Sequence, residues 1–412
     1  MMDENFSWKI IYVATIFSLI ILGVAYYFIA PADNTFFSEV KNERLAEFKN
    51  TQITGREEGK KLWSFQAENG WTNKNRDTTF LYDVVNGETY IDGEPVITKL
   101  AAPRVQAYRL SEIVEIFGYK KNEKKGSGQL TALMNLDRIA EEPNTNEWYK
   151  MRAGHLKYTP YQKKTEISDN ISLIKEEMSI YAQKITTFNE ERYAEIEDKA
   201  KIIRPDAIIK ANHMLYYSQN QRLDADGKVE VKIIEGTDNI HLQCDRTTFY
   251  VDPDKDMGLE GNIKAVQGKK VVAAKQGLYS HAKNLLVLVG NVKAVFEKAE
   301  AALGGNTAKK LSNKEAKKAL KEKTFLDCNN FIFSTMSGDS RAVGSVEVTQ
   351  KGREAKADEA TYNEKDELLT LLGNVWMKQK KDNEWIKCQK IIISIDEETF
   401  SAEGSVEAEF KI

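Results

Sequence analysis

The stretch ADEATYNEKDELLTLLGNVWM, Ala357 to Met377, carries the pattern on which the fold turns. A small residue, Ala357, is followed three and five positions later by Ala360 and Tyr362. Thirteen residues past that tyrosine stands Val375, directly behind the dipeptide Gly373-Asn374. Working outward, the first beat recurs as Ala274-x-x-Gly277-x-Tyr279, Ala211-x-x-Met214-x-Tyr216 and Ala153-x-x-Leu156-x-Tyr158. Between these lie Cys388-x-x-Ile391-x-Ile393, Cys328-x-x-Phe331-x-Phe333, Cys244-x-x-Thr247-x-Phe249 and Ala182-x-x-Ile185-x-Thr187. The starting positions 153, 182, 211, 244, 274, 328, 357 and 388 are spaced by 29, 29, 33, 30, 54, 29 and 31 residues.

The second beat keeps time with the first. Ile171, Val229, Val292 and Val375 each follow a turn-like dipeptide: Asp169-Asn170, Gly227-Lys228, Gly290-Asn291 and Gly373-Asn374. The alternate halves repeat it as Gly261-Asn262, Gly344-Ser345 and Gly404-Ser405. Such residues tolerate the left-handed backbone of a tight turn. Behind them Val229, Val231 and Ile233 alternate with Glu230 and Lys232, as strands do. The unit is thus expected to be strand, turn, strand, turn over some thirty residues. Weaker copies start at Ala67 and Ala102. About ten units, or roughly twenty antiparallel strands about 4.8 Å apart, predict a body on the order of 95 Å long. Length alone would suggest two or three domains, but a repeat buries its core only by stacking, so one elongated all-β body is expected.

Two intervals break the rhythm. Residues 299–323, AEAALGGNTAKKLSNKEAKKALKEK, contain the capping box Ser312-x-x-Glu315 and helix-favouring Ala, Leu and Lys. Residues 120–147 form a similar excursion. Both are expected to be surface insertions with local helix. The lysines of the first suit either a solvated helix face or anionic lipid head groups.

Ahead of the repeat, residues 10–30 read IIYVATIFSLIILGVAYYFIA without a charge, long enough as a helix for the roughly 30 Å hydrocarbon core. Two readings stand: a retained anchor, or a signal peptide cleaved near Ala30-Pro31-Ala32; the length of the apolar run favours the anchor. The expected order is a short cytoplasmic N-terminus (1–9), a transmembrane helix (10–30), a linker (31–50), β units (51–119), an insertion (120–147) and further β repeats (148–412). The bulk then lies outside the cytoplasm.

Chemistry is not advertised. Neither GxxxxGK[ST] nor GxGxxG occurs. A net charge of −3 gives no global attraction to nucleic acid. Cys244, Cys328 and Cys388 share one repeat position that elsewhere holds Ala, which fits buried small side chains rather than metal or disulfide roles. His155 and His213 are two units apart, too far to share a metal. No cofactor, no metal and no enzymatic activity are expected; a polysaccharide-processing enzyme on a β solenoid would need converging carboxylates that the repeat does not single out.

What remains is shape. Folding each long strand over gives two sheets with an apolar interior, a trough. Its candidate lining is Val229, Val231, Phe249, Val251, Val292, Ala294, Phe331, Phe333, Val375 and Met377, for each of which ordinary core packing is the alternative role. A solid interior would instead make a non-enzymatic spacer or scaffold without lipid cargo.

Thr54-Gly55, LWSFQAENG (Leu62 to Gly70) and GETYIDGEPVITKLAAPRV (Gly87 to Val105), behind an anchor, resemble the LptC family, the membrane-anchored periplasmic component of lipopolysaccharide export. The later units, such as LLGNVWMKQ (Leu371 to Gln379), resemble the OstA/LptA repeat of the same pathway. The resemblance implies an OstA-like β-jellyroll stack on a single-pass inner-membrane anchor, with its bulk in the periplasm of a diderm bacterium. It implies a bridge component that receives lipopolysaccharide from the membrane subunits of an ABC transporter. The acyl chains of lipid A would lie in the groove. Edge-strand pairing would pass them to an LptA-like bridge protein or outer-membrane translocon. The chain is longer than the family's usual anchored member, which leaves open whether the extra repeats replace a separate bridge protein.

Overall fold

The computed structural model describes residues 44–119, 128–136, 148–234, 239–268, 270–297, 322–363, 365–366, 368–380, 383–394 and 399–410. The apolar segment 10–30 lies outside them, as do 299–321 of the Lys-rich insertion. Among the described residues, no helix is long and apolar enough to cross a membrane.

Among the described residues, twenty-four strands follow one another. The first eight are β1 (Arg44–Glu57), β2 (Lys60–Asn73), β3 (Thr78–Ile91), β4 (Glu94–Tyr108), β5 (Val114–Phe117), β6 (Leu130–Met134), β7 (Tyr149–Ala153) and β8 (His155–Thr159). Then come β9 (Lys164–Lys175), β10 (Met178–Phe188), β11 (Tyr193–Ile203), β12 (Ala207–Tyr217), β13 (Arg222–Ile233), β14 (Ile240–Tyr250), β15 (Met257–Gln267) and β16 (Lys270–Ser280). The last are β17 (Leu285–Phe296), β18 (Thr324–Ser334), β19 (Ser340–Gln350), β20 (Arg353–Asn363), β21 (Leu368–Gln379), β22 (Glu384–Ser394), β23 (Thr399–Glu403) and β24 (Glu407–Glu409). From β9 to β22 each strand pairs antiparallel with the next. The expected all-β antiparallel stack is present.

Every long strand of this run has a corner at its middle, and the corner explains the i, i+3, i+5 beat. In β14 the buried residues are Ile240, Leu242 and Cys244, then Thr247 and Phe249. Alternation skips one place at Asp245-Arg246, so both halves turn the same face inward. In the facing strand the skip is one residue longer: Met257 and Leu259 of β15 are buried, then Ile263 and Ala265. β14 and β15 pair at Gln243↔Lys264 and again at Arg246↔Glu260, leaving two residues of β14 opposite three of β15. This is a β-bulge, which bends its strand sharply.

The extra residue is accommodated by the dipeptides of the second beat. Gly261 and Asn262 have φ of 72° and 43°, and Gly373 and Asn374 have 72° and 48°. They were expected to reverse the chain. Instead they lie inside β15 and β21, which continue on both sides. Two consecutive left-handed residues serve a hairpin or a bulge equally, and only the pairing register separates the two. Asp198-Lys199 holds the same corner in β11 with φ of 58° and 62°, although neither residue is glycine or asparagine. Across the corner, Asn262 Nδ2 donates to Asp245 Oδ2 and Asn374 Nδ2 to Asp358 Oδ2, each at 2.8 Å.

The body thus consists of two arms meeting at a line of corners. Arm A holds the residues before the corner in even-numbered strands such as β14, and arm B those after it. Between β4 and β9 the bent strands are split: β5 and β8 pair in arm B, β6 and β7 in arm A. The interval 120–147, read as an insertion with local helix, therefore contributes a sheet strand, β6, whose Leu130 and Met134 are buried. Likewise β1 begins at Arg44, inside the stretch read as linker. Neither segment carries the repeat beat that marked the other strands.

The outer faces are polar and laddered: Lys184 to Glu197 at 2.5 Å, Arg246 to Glu260 at 2.9 Å, Lys390 to Glu403 at 3.1 Å. Such exposed pairs are worth at most about 1 kcal/mol each. The fold is held by the inner faces, where one apolar cluster runs from Phe65 to Ile391. Full burial of each Leu, Ile, Val or Phe there contributes roughly 1.5–3 kcal/mol.

The corner packing is testable. A Cβ on Gly261 would stand 2.4 Å from Asp245 Oδ2, whereas one on Gly352, at a hairpin turn with φ of 73°, meets nothing within 4 Å. Gly352→Ala should cost only the backbone strain, about 1 kcal/mol, and Gly261→Ala about 2–3 kcal/mol, read from urea midpoints. Equal losses would contradict the corner geometry.

Candidate functional site

The candidate site is the space between the two arms. All ten residues named from the sequence lie in or against the apolar cluster that occupies it. Val229, Val231, Phe249, Val292, Ala294, Phe331, Phe333 and Val375 are buried within the single apolar cluster; Val251 and Met377 are partly buried against it.

The arms are bent far enough to touch. Lys270 opens β16 in arm A, in register with Phe296, which faces Thr324 of β18. Phe333 lies nine residues beyond Thr324 on the same strand, some 30 Å away if the strand were straight. Yet Lys270 Nζ lies 5.1 Å from the centre of the Phe333 ring. Arg204, in the turn between β11 and β12 of arm A, likewise donates from Nη1 to the carbonyl of Tyr250 in arm B at 2.6 Å. Its guanidinium is held by Asp206, with Nε to Oδ1 at 2.8 Å, and both side chains are almost wholly buried. A buried pair left with one partner costs about 3–5 kcal/mol, so this link is strongly enforced. Nearer the N-terminus, Lys163 Nζ meets Asp92 at 3.1 Å, and the Tyr158 hydroxyl donates to the Tyr90 carbonyl. Burial raises the Tyr158 phenol well above its ordinary range, so it remains a donor. These three links form a seam along the open side of the trough. Sequence reading missed them, since each joins turns 46 to 71 residues apart (Arg204 to Tyr250, Asp92 to Lys163).

Among the described residues, no group of three or more His, Cys, Asp or Glu is placed to hold a metal. His213 pairs with Asp226 at 3.3 Å on the outer face, and His155 lies 4.9 Å from the Phe117 ring. The three cysteines are free and buried, one each in β14, β18 and β22. Burial pushes the Cys244 and Cys328 thiols up to about 11, and raises that of Cys388.

A two-armed stack of bent antiparallel strands around an apolar interior is a jellyroll-like trough. Within it, residues 247–399, from β14 to the start of β23, match the family model described as LptA/(LptD N-terminal domain) LPS transport protein. The LptC-like start at Thr54–Val105 lies outside the matched residues. No curated protein matches the chain. Among solved structures, LptH of Pseudomonas aeruginosa, the LptA homologous periplasmic component of the lipopolysaccharide transport device, aligns at 11% identity. The alignment covers 42% of this chain and 95% of that one, with a TM-score of 0.23.

The thiolate is the reactive form, and at pH 8 a thiol of pKa about 11 is roughly one part in a thousand thiolate. A disulfide reagent such as DTNB should therefore leave the native protein nearly unlabelled at pH 8, with reactivity rising toward pH 11. Three thiols should titrate at once in denaturant. Rapid native labelling would show that these positions do not face the interior.

Proposed function

We propose that this protein is a periplasmic component of lipopolysaccharide export that carries acyl chains between the arms of its β-jellyroll. The observation that carries the reading is the continuous apolar interior between polar outer faces, in a chain whose residues 247–399 match a lipopolysaccharide-transport family model. Moving an acyl chain through water exposes about 0.8 kcal/mol per CH₂, so a dozen methylenes represent roughly 10 kcal/mol. A trough that covers them removes that barrier without catalysis, and no enzymatic step is needed.

In this reading residues 10–30 anchor the chain in the inner membrane, beside the membrane subunits of an ABC transporter that supplies the lipid. The ends of the stack supply the onward connection. Among the described residues β1 pairs only with β2, and β23 and β24 only with β22, so both ends offer unpaired backbone. Exposed edges of this kind recruit partners by strand addition. An LptA-like bridge protein or an outer-membrane translocon is the partner proposed there.

The experiment is site-specific photocrosslinking with the probe at Phe333, in cells making labelled lipopolysaccharide. An ATP-dependent lipid adduct is expected. Absence of adducts at Phe333 and several other inward positions, in a folded and membrane-anchored protein, would leave a spacer without cargo.

A further inference from the structure

The interior is not uniform along the stack. Near the N-terminus it closes quickly: Phe65 in the second strand and Leu81 in the third are already fully buried. At the other end its arm-A wall is less completely covered, over five strands. On arm A, Leu326, Val348, Ala355, Met377 and Ile386 sit at inward positions of β18 to β22, yet all are only partly buried. Loss of neighbours at a stack end explains β22 but not β18, which has β17 on one side and β19 on the other.

Two further observations divide the molecule at the same place. The largest fully buried side chains, among them Trp148, Tyr158, Tyr216, Phe249 and Tyr279, all lie before β17. Beyond it the inward positions include Ala342, Ala355 and Ala360, which leave space that a larger side chain fills in several other units. Of the seam links, Asp92–Lys163 and Arg204–Tyr250 lie wholly before β17, and Lys270–Phe333 ties the arm-A turn before β16 to β18 at the edge of the second half. The first half is thus filled and fastened shut.

The rim of the open half differs in chemistry from its floor. Gln350, Arg353 and Gln379 stand in register with one another at the arm-A edge. They lie on the inward phase of their strands, directly above Val348, Ala355 and Met377. Gln350 Nε2 also donates to Thr324 Oγ1 at 3.1 Å. An apolar floor under a rim of amides and one guanidinium fits a molecule with hydrocarbon chains and a polar, anionic head.

We infer that the lipid-binding site is confined to β18–β22, with acyl chains on the Leu326–Ile386 floor and the head group at Arg353. The part before β17 is the more tightly filled stretch of the interior. This rests on the lipid-transport reading above and narrows it: Met377 lies on the floor with Phe331 and Phe333 on the facing arm, whereas Val229, Val231, Phe249 and the equally buried Val375 are structural core.

Hydrogen–deuterium exchange on the full chain, with and without purified lipopolysaccharide, tests this directly. Backbone amides of β18–β22 should slow by about fivefold or more, and those of β9–β13 should not change. Ala355→Phe should abolish the protection while circular dichroism is unchanged, and Arg353→Glu should weaken it several-fold. Equal protection in β9–β13 would overturn the confinement while leaving lipid transport standing. Protection nowhere would overturn both.

Discussion

Everything in this molecule depends on one backbone constraint: at each corner, a strand carries one residue more than the strand it faces. The surplus is absorbed by two consecutive residues with positive φ, and the bend that results sets the phase of every side chain beyond it. Without the bend, each eleven- or twelve-residue strand would be a flat ribbon with one apolar face and nothing to cover it. With it, the two halves of the same strand bury each other's apolar residues. Stacking repeats then extends that interior from Phe65 to Ile391 as one cluster.

The division of labour between faces follows. Inward positions near the corner need small side chains, because the arms are closest there. Ala153, Ala182, Ala211, Cys244, Ala274, Cys328, Ala357 and Cys388 occupy that place and are buried. Further out along the arms the gap widens, and its contents decide what the molecule is locally: Tyr216, Phe249 and Tyr279 fill it, whereas Ala355 and Met377 leave it part open. Outer faces carry charge ladders that add little stability.

Much of this was legible in the sequence because the corner leaves a period-breaking signature. The i, i+3, i+5 trios located all ten even-register units, including the weak ones at Ala67 and Ala102, whose small residues are both buried. The dipeptides were found but misread as reversals, since Gly373-Asn374 has the same backbone requirement in a hairpin and in a bulge. Asp198-Lys199 was passed over because its residue types do not advertise a left-handed backbone, and stacking neighbours impose it instead. The strand Leu130–Met134 was hidden because its partner half, β5, is separated from it by the segment 120–127. Of the candidate lining, chosen by alternation, eight residues are buried and Val251 and Met377 partly so. The sequence had no means to tell filled from open stretches, because that depends on side chains meeting across the gap, as Lys270 and Phe333 do.

The central claim is that this bent-strand stack is a container for lipid rather than a solid rod. Native mass spectrometry of the full chain, gently extracted from the envelope of cells that synthesise lipopolysaccharide, measures that most directly. The account requires a population carrying at least one acylated lipid, lost when Ala355 is replaced by Phe. A single mass equal to the bare polypeptide, from cells with lipid supply and transport running, would contradict it.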